Sequence, residues 1–169
     1  MTDLQEAWSQ WLAELDDEAR VAAIALRDRF TEVHAEDPEE WAMSEISEDI
    51  PQMARYLFLR RLWADAVNSW EQPGAVESFP VAHRMLGTGA ERPDLVGFAR
   101  AVAVETISFV LYALDEGCDS VDTSHLPGWR LEETDATDGH ALTGRHVAGL
   151  QESLLETDPS GEWGEGLGE

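Results

Sequence analysis

Residues 95–114, LVGFARAVAVETISFVLYAL, are apolar around nearly the whole circumference of a helix. Such a helix has to be covered on every side, so this segment constrains the fold more than any other. Its length also matches a bilayer core of about 30 Å. Against a membrane span stand Arg100 and Glu105 in mid-segment, flanks without a basic bias, and no second apolar segment of that length. The segment is therefore expected to be the central buried helix of a globular domain, ended by Gly117.

The flanking sequence supplies helices to surround it. Leu4, Trp8, Trp11, Leu12 and Leu15 recur at helical spacing behind Thr2 or Asp3. Asp16 or Asp17 starts a second helix that runs to about His34, with Ala19, Ala22, Ala23, Leu26, Phe30 and Val33 on one face, and Pro38 closes the connection. Residues 35–49 are expected as a loop with one helical turn near Glu39 to Met43. Ser47, Asp49 and Pro51 then begin a long helix reaching Trp70 or Glu71, which QPG ends. A short helix is expected over Pro80 to Leu86, stopped by Gly87, Gly89 and Pro93. Beyond residue 128 the period changes: Trp129 and Leu131 alternate, and a turn-rich TDATDG leads to Leu142, which reads as one β-hairpin near 128–145. HVAGLQESLLETD is expected as a last helix. The predicted fold class is mainly α: a single-domain helical bundle around the central apolar helix 95–114, with a small C-terminal β-hairpin. One domain spans 1–157, and 158–169 form a flexible acidic tail.

Charge narrows the chemistry. The chain has 35 acidic residues against 11 basic ones, a net charge of −24, and every basic residue is arginine. Without lysine there is no Schiff base, no pyridoxal phosphate attachment, no P-loop lysine and no kinase-type phosphate lysine. Residues 1–50 hold 15 acids and 3 arginines, residues 51–114 hold 6 of each, and residues 115–169 hold 14 acids and 2 arginines. A neutral middle between acidic flanks suits a core-forming segment whose neighbours face water or a partner. Such a surface repels nucleic acid and anionic lipid, so direct binding to either is not expected. An apolar content of 43% argues for a folded chain despite the charge. The single cysteine, Cys118, cannot form an internal disulfide, and no signal-peptide pattern opens the chain, so a cytoplasmic location is expected.

Candidate sites are few. AEDPEEWAMSEISED, residues 35–49, carries seven carboxylates and no basic side chain. Glu36, Asp37, Glu39, Glu40, Glu45, Glu48 and Asp49, with Trp41 as an aromatic anchor, form the expected partner-binding surface: the ring supplies buried area and the charges steer a basic partner. Trp8, Trp11, Trp63 and Trp70 share this half of the chain, where core packing competes with that role. Glu105 in the apolar helix suggests a buried polar site with Arg100, Arg60 or Arg61, and Tyr112, because a buried carboxylate needs a partner.

Other groupings are weaker. None of His34, His83, His125, His140 and His146 stands in a metalloprotease spacing. His140 and His146 with Asp135 and Asp138 suggest a metal site only by proximity, and turn aspartates bond backbone without any metal. No metal and no cofactor are therefore assigned. Residues 158–169 place Asp158, Ser160, Glu162 and Glu169 as in a calcium loop, but Trp163 occupies the position that needs glycine. Cys118 with His125 lies among acids that disfavour a thiolate. Ser44, Ser47, Ser108 and Ser153 lack a nucleophile turn, and GTGAER lacks the third glycine of a dinucleotide fingerprint.

These readings point to an acidic, non-enzymatic interaction protein that binds and neutralises or chaperones a basic partner, in the manner of an immunity protein, an antitoxin or a nucleic-acid mimic. Two alternatives remain at this level. One is a small helical enzyme or ligand-binding protein with the Glu105 and arginine pocket. The other is a salt-adapted protein whose acidity has no partner.

Overall fold

The computed structural model describes residues 3–118 and 127–160. It is mainly helical with one two-stranded antiparallel sheet near the C-terminus, as the sequence pattern predicts. The residues read as one domain form two compact units, Met1–Tyr56 with Arg130–Ala148, and Leu57–Trp129 with Gly149–Glu169.

The first unit contains α1 (Asp3–Glu14), α2 (Asp17–Glu32), α3 (Pro38–Glu48), the beginning of α4 (Gln52–Leu62), and a hairpin of β1 (Leu131–Asp135) and β2 (Ala141–Val147). Asp16 caps α2 by accepting the Ala19 N–H at 2.8 Å. Arg20 donates to the Leu12 and Leu15 carbonyls at the end of α1, satisfying acceptors that the helix itself leaves open. The apolar stripes meet in a cluster of Trp8, Ala23, Leu26, Phe30, Ala42 and Tyr56. Phe30 stacks on Trp41 at 6.0 Å, and Tyr56 meets both rings edge-on.

α3 corrects the loop expected over residues 35–49. Pro38 at its first turn gives up only an N–H that a helix start leaves unbonded anyway, so it opens the helix as well as ending the connection. Asp37 and Asp49 bracket it in the left-handed region, with φ of 47° and 54°, a conformation Asp tolerates better than most residues. Ala42 is buried, and Trp41, Met43 and Ile46 pack against the cluster, so tertiary burial outweighs the acidic composition.

In the hairpin, Leu131 pairs with Val147 and Asp135 with Ala141, with a bulge between Glu132 and Thr134. Arg145 of β2 ties it to α3: its guanidinium lies 3.0 Å from Glu45, 3.3 Å from Glu133 and 3.6 Å from Asp49.

The second unit continues α4 into a π-helical turn, Trp63–Val67, and a 3-10 turn, Asn68–Glu71. The long helix expected to Trp70 or Glu71 thus keeps its path but changes its winding. α5 (Pro80–Gly87) and α6 (Arg92–Glu116) follow. Leu59, Trp63, Val67, Leu111, Leu150 and Leu154 are its fully buried large side chains. A smaller cluster gathers Val76, Ala82, Leu95 and Val96. Trp63 Nε1 donates to the Leu154 carbonyl at 2.8 Å, which anchors the C-terminal segment.

The last helix expected from His146 onward does not form. His146 and Val147 complete β2, Gly149 turns the chain at φ 68°, and among the described residues only the 3-10 turn Leu155–Thr157 is helical after it. Asp158, expected to open a mobile tail, is buried. The remainder of that tail, 161–169, lies outside the described residues.

The apolar helix differs most from expectation. α6 forms and Gly117 ends it at φ 68°. Yet only Leu95, Val96 and Leu111 on it are buried, and 17% of its most apolar window is enclosed. The sequence is apolar on two sides, and the folded chain covers one.

Candidate functional site

The outward side of α6 repeats with a four-three spacing. Phe98, Val102, Glu105, Phe109, Tyr112 and Glu116 are all exposed, with Phe98 at 71% and Phe109 at 72%. At 3.6 residues per turn these positions, with Asp94, fall within an arc of about 80°. Arg100 and Leu111 occupy the opposite side. Arg100 is half-buried, bonds Glu71 at 2.8 Å and donates to Asn68 at 3.1 Å. Ser108 and Asp115 accept from Gln151. One face of α6 is thereby committed to the interior, while the other presents aromatic rings between carboxylates.

This geometry separates the polar site expected around Glu105. Glu105, Arg60 and Tyr112 are exposed, and only Arg100 is partly enclosed, already paired with Glu71. Arg61 pairs with Asp65 on the surface. Because Arg100 and Glu105 are five residues apart, the helix points them in different directions.

The acidic stretch 36–49 divides in the same way. Glu36, Asp37, Glu40, Glu48 and Asp49 are exposed. Glu39 turns toward Arg27 at 3.4 Å, and Glu45 is only 11% exposed, accepting from Arg145 and from the Met53 N–H. Trp41 packs in the aromatic cluster of the first unit and is half-buried. Trp8 and Trp63 are buried, Trp11 and Trp70 half-buried, and Trp129 is exposed, its indole N–H donating to the Ala113 carbonyl at 2.8 Å. Most of the tryptophans singled out in the N-terminal half therefore serve packing.

The remaining polar motifs have local roles. Asp135 accepts from the Thr137 hydroxyl and N–H, both at 2.7 Å, and these bonds, the hydroxyl foremost, hold its carboxyl below the usual range. Glu77 is likewise held low, first by its own backbone N–H and then by the Arg92 guanidinium at 2.8 Å. His140 turns the hairpin at φ 63°, and His146 pairs across the sheet with Glu132. Among the described residues no group of three or more His, Cys, Asp or Glu side chains is placed to hold a metal ion. Cys118 is exposed, and His125 lies outside the described residues. Ser44 donates to Glu48 and accepts from Gln52, which links α3 to the start of α4.

No protein-family model, curated protein or solved structure matches this chain.

Proposed function

We propose that the chain is an acidic interaction protein that binds a basic partner protein and works by contact. The observation that supports this reading most is how its cations are used. Arg20, Arg27, Arg61, Arg92, Arg100, Arg130 and Arg145 each engage a carboxylate of the chain itself. With 35 acids against 11 arginines the chain has a surplus of carboxylates, and Glu36, Asp37, Glu40 and Glu48 on and around α3 are among those exposed to solvent. Their summed field accelerates encounter with a cationic surface and weakens as salt screens it.

A salt-adapted chain shares this composition, and unfolding separates the two readings. An interaction protein remains folded in dilute buffer and gains little from molar potassium chloride. A chain whose acidity serves only salt tolerance loses most of its stability on dilution. The second arm is titration with a cationic helical peptide at 50 and 500 mM salt. A fall in affinity of about tenfold or more supports the proposal, and an affinity that salt leaves unchanged contradicts it.

A further inference from the structure

We infer that the outward face of α6 is a docking surface for a basic amphipathic helix of a partner protein. The inference rests on the reading of the chain as an acidic interaction protein, and adds where the partner sits and what pattern it carries. Asp94, Glu105 and Glu116 are each eleven residues apart and all exposed. Eleven residues make about three turns, so the three carboxylates align along one line of the helix, about 16 Å between neighbours. Phe98 and Val102 fill the first interval, and Phe109 and Tyr112 the second; the exposures of these four range from 46% to 72%.

An exposed ridge of large apolar groups interrupted by charge fits a helix laid along it, with anchors at three- and four-residue spacing. Charge decides among occupants. A second copy brings the same three carboxylates and another 24 net negative charges, with no cation on its own matching stripe. The chain's own segments 119–126 and 161–169 contain no arginine. A bilayer would have to take up Glu105 at the middle of the stripe and Asp94 and Glu116 at its ends, each an expensive transfer. A partner helix with arginine or lysine at eleven-residue intervals and leucine or phenylalanine between them meets every group on the face.

The test uses two synthetic peptides of 24 residues. One carries arginine every eleven positions along an apolar stripe of four-three spacing, and the other has the same composition scrambled. Fluorescence anisotropy is read with the full chain and with the variants Phe98→Asp/Phe109→Asp and Glu105→Arg, whose folding is checked by circular dichroism. The expected result is that the patterned peptide binds at least tenfold tighter than the scrambled one. Both variants should lose that advantage while binding the scrambled peptide as before. Equal, salt-sensitive binding of both peptides overturns the docking surface and leaves the acidic interaction reading standing. No binding of either peptide overturns both. Uptake by phosphatidylcholine vesicles, or self-association in sedimentation that Phe98→Asp/Phe109→Asp abolishes, also overturns the inference and assigns the face to lipid or to a second copy. Glu105→Arg keeps the aromatic ridge intact, so it tests the charge pattern even if the double variant fails to fold.

Discussion

Phe109 and Leu111 stand two residues apart on α6, and the structure assigns them opposite energetic roles. Leu111 is fully buried and Phe109 is 72% exposed. Leu111→Ala removes buried methyl groups and leaves a cavity, a change that destabilises by about 2–5 kcal/mol. For Phe109→Asp the lost burial is at most about a quarter of the 1.5–3 kcal/mol that full burial of a large apolar side chain contributes. Phe and Asp differ little in helix propensity, and a carboxylate four residues after Glu105 adds about 0.2–0.5 kcal/mol by like-charge repulsion. The sum for Phe109→Asp is about 1 kcal/mol. Had the face been buried, an aspartate there would exceed about 4 kcal/mol, because an unpaired charge would sit in the core. Urea unfolding followed by circular dichroism, with salt held constant, measures both. A loss for Phe109→Asp equal to that for Leu111→Ala would refute an exposed outer face for α6.

Arg145→Met leaves Glu45 and Glu133, exposed by only 11% and 16%, without their shared cation, and should destabilise the first unit by about 2–4 kcal/mol in thermal unfolding. Adding Glu45→Gln to Arg145→Met should recover part of that loss, since one stranded charge is removed with its partner. Trp63→Phe deletes the buried indole bond to the Leu154 carbonyl and should cost about 1–3 kcal/mol by chemical denaturation. Because Thr157 also donates to that carbonyl, the loss stays below that of Trp63→Ala. Gly117→Ala places a Cβ 2.9 Å from the Trp129 carbonyl at φ 68°, and should lower the melting temperature by more than Gly87→Ala, where nothing lies within 4 Å. Asp135 has a lowered folded-state pKa, so its contribution is present above the unfolded value near pH 3.9 and is lost as pH falls through the lower folded value. Asp135→Asn should lower stability at neutral pH and flatten the acid limb, so that the gap between the two proteins closes as pH falls below about 4, as acid titration of unfolding will read.

Local signals carried α1 and α2 of the first unit. Asp16 or Asp17 ahead of the stripe Ala23, Leu26 and Phe30 marks α2, because a cap and a 3.6-residue period agree, and the structure puts the cap at Asp16. The same reasoning missed α3, since seven carboxylates around Pro38 look like solvated loop, and what stabilises the helix is remote: the ring of Tyr56 and the guanidinium of Arg145, a hundred residues from Glu45. The final segment failed for the opposite reason. Residues 146–158 have helical spacing, but His146 and Val147 are recruited by the strand partner Leu131–Glu132, and Gly149 breaks what is left. For α6 the end at Gly117 was legible, but the helix starts three residues earlier than 95 because Pro93, read as a breaker, sits in its first turn, and its burial was not legible. Periodicity counts apolar positions and is silent on what covers each of them. The signal for the outer face was nevertheless present in the eleven-residue repeat of Asp94, Glu105 and Glu116, carboxylates sharing an arc with Phe98 and Phe109.

Calorimetric titration of the full chain with the patterned cationic peptide, repeated at several temperatures and salt concentrations, probes contact with a basic helix most directly. Burial of the aromatic ridge predicts a negative heat-capacity change, and pairing with the carboxylates predicts an affinity that declines as salt rises. Heats with no temperature dependence, or an association constant that salt leaves unaltered, would contradict it.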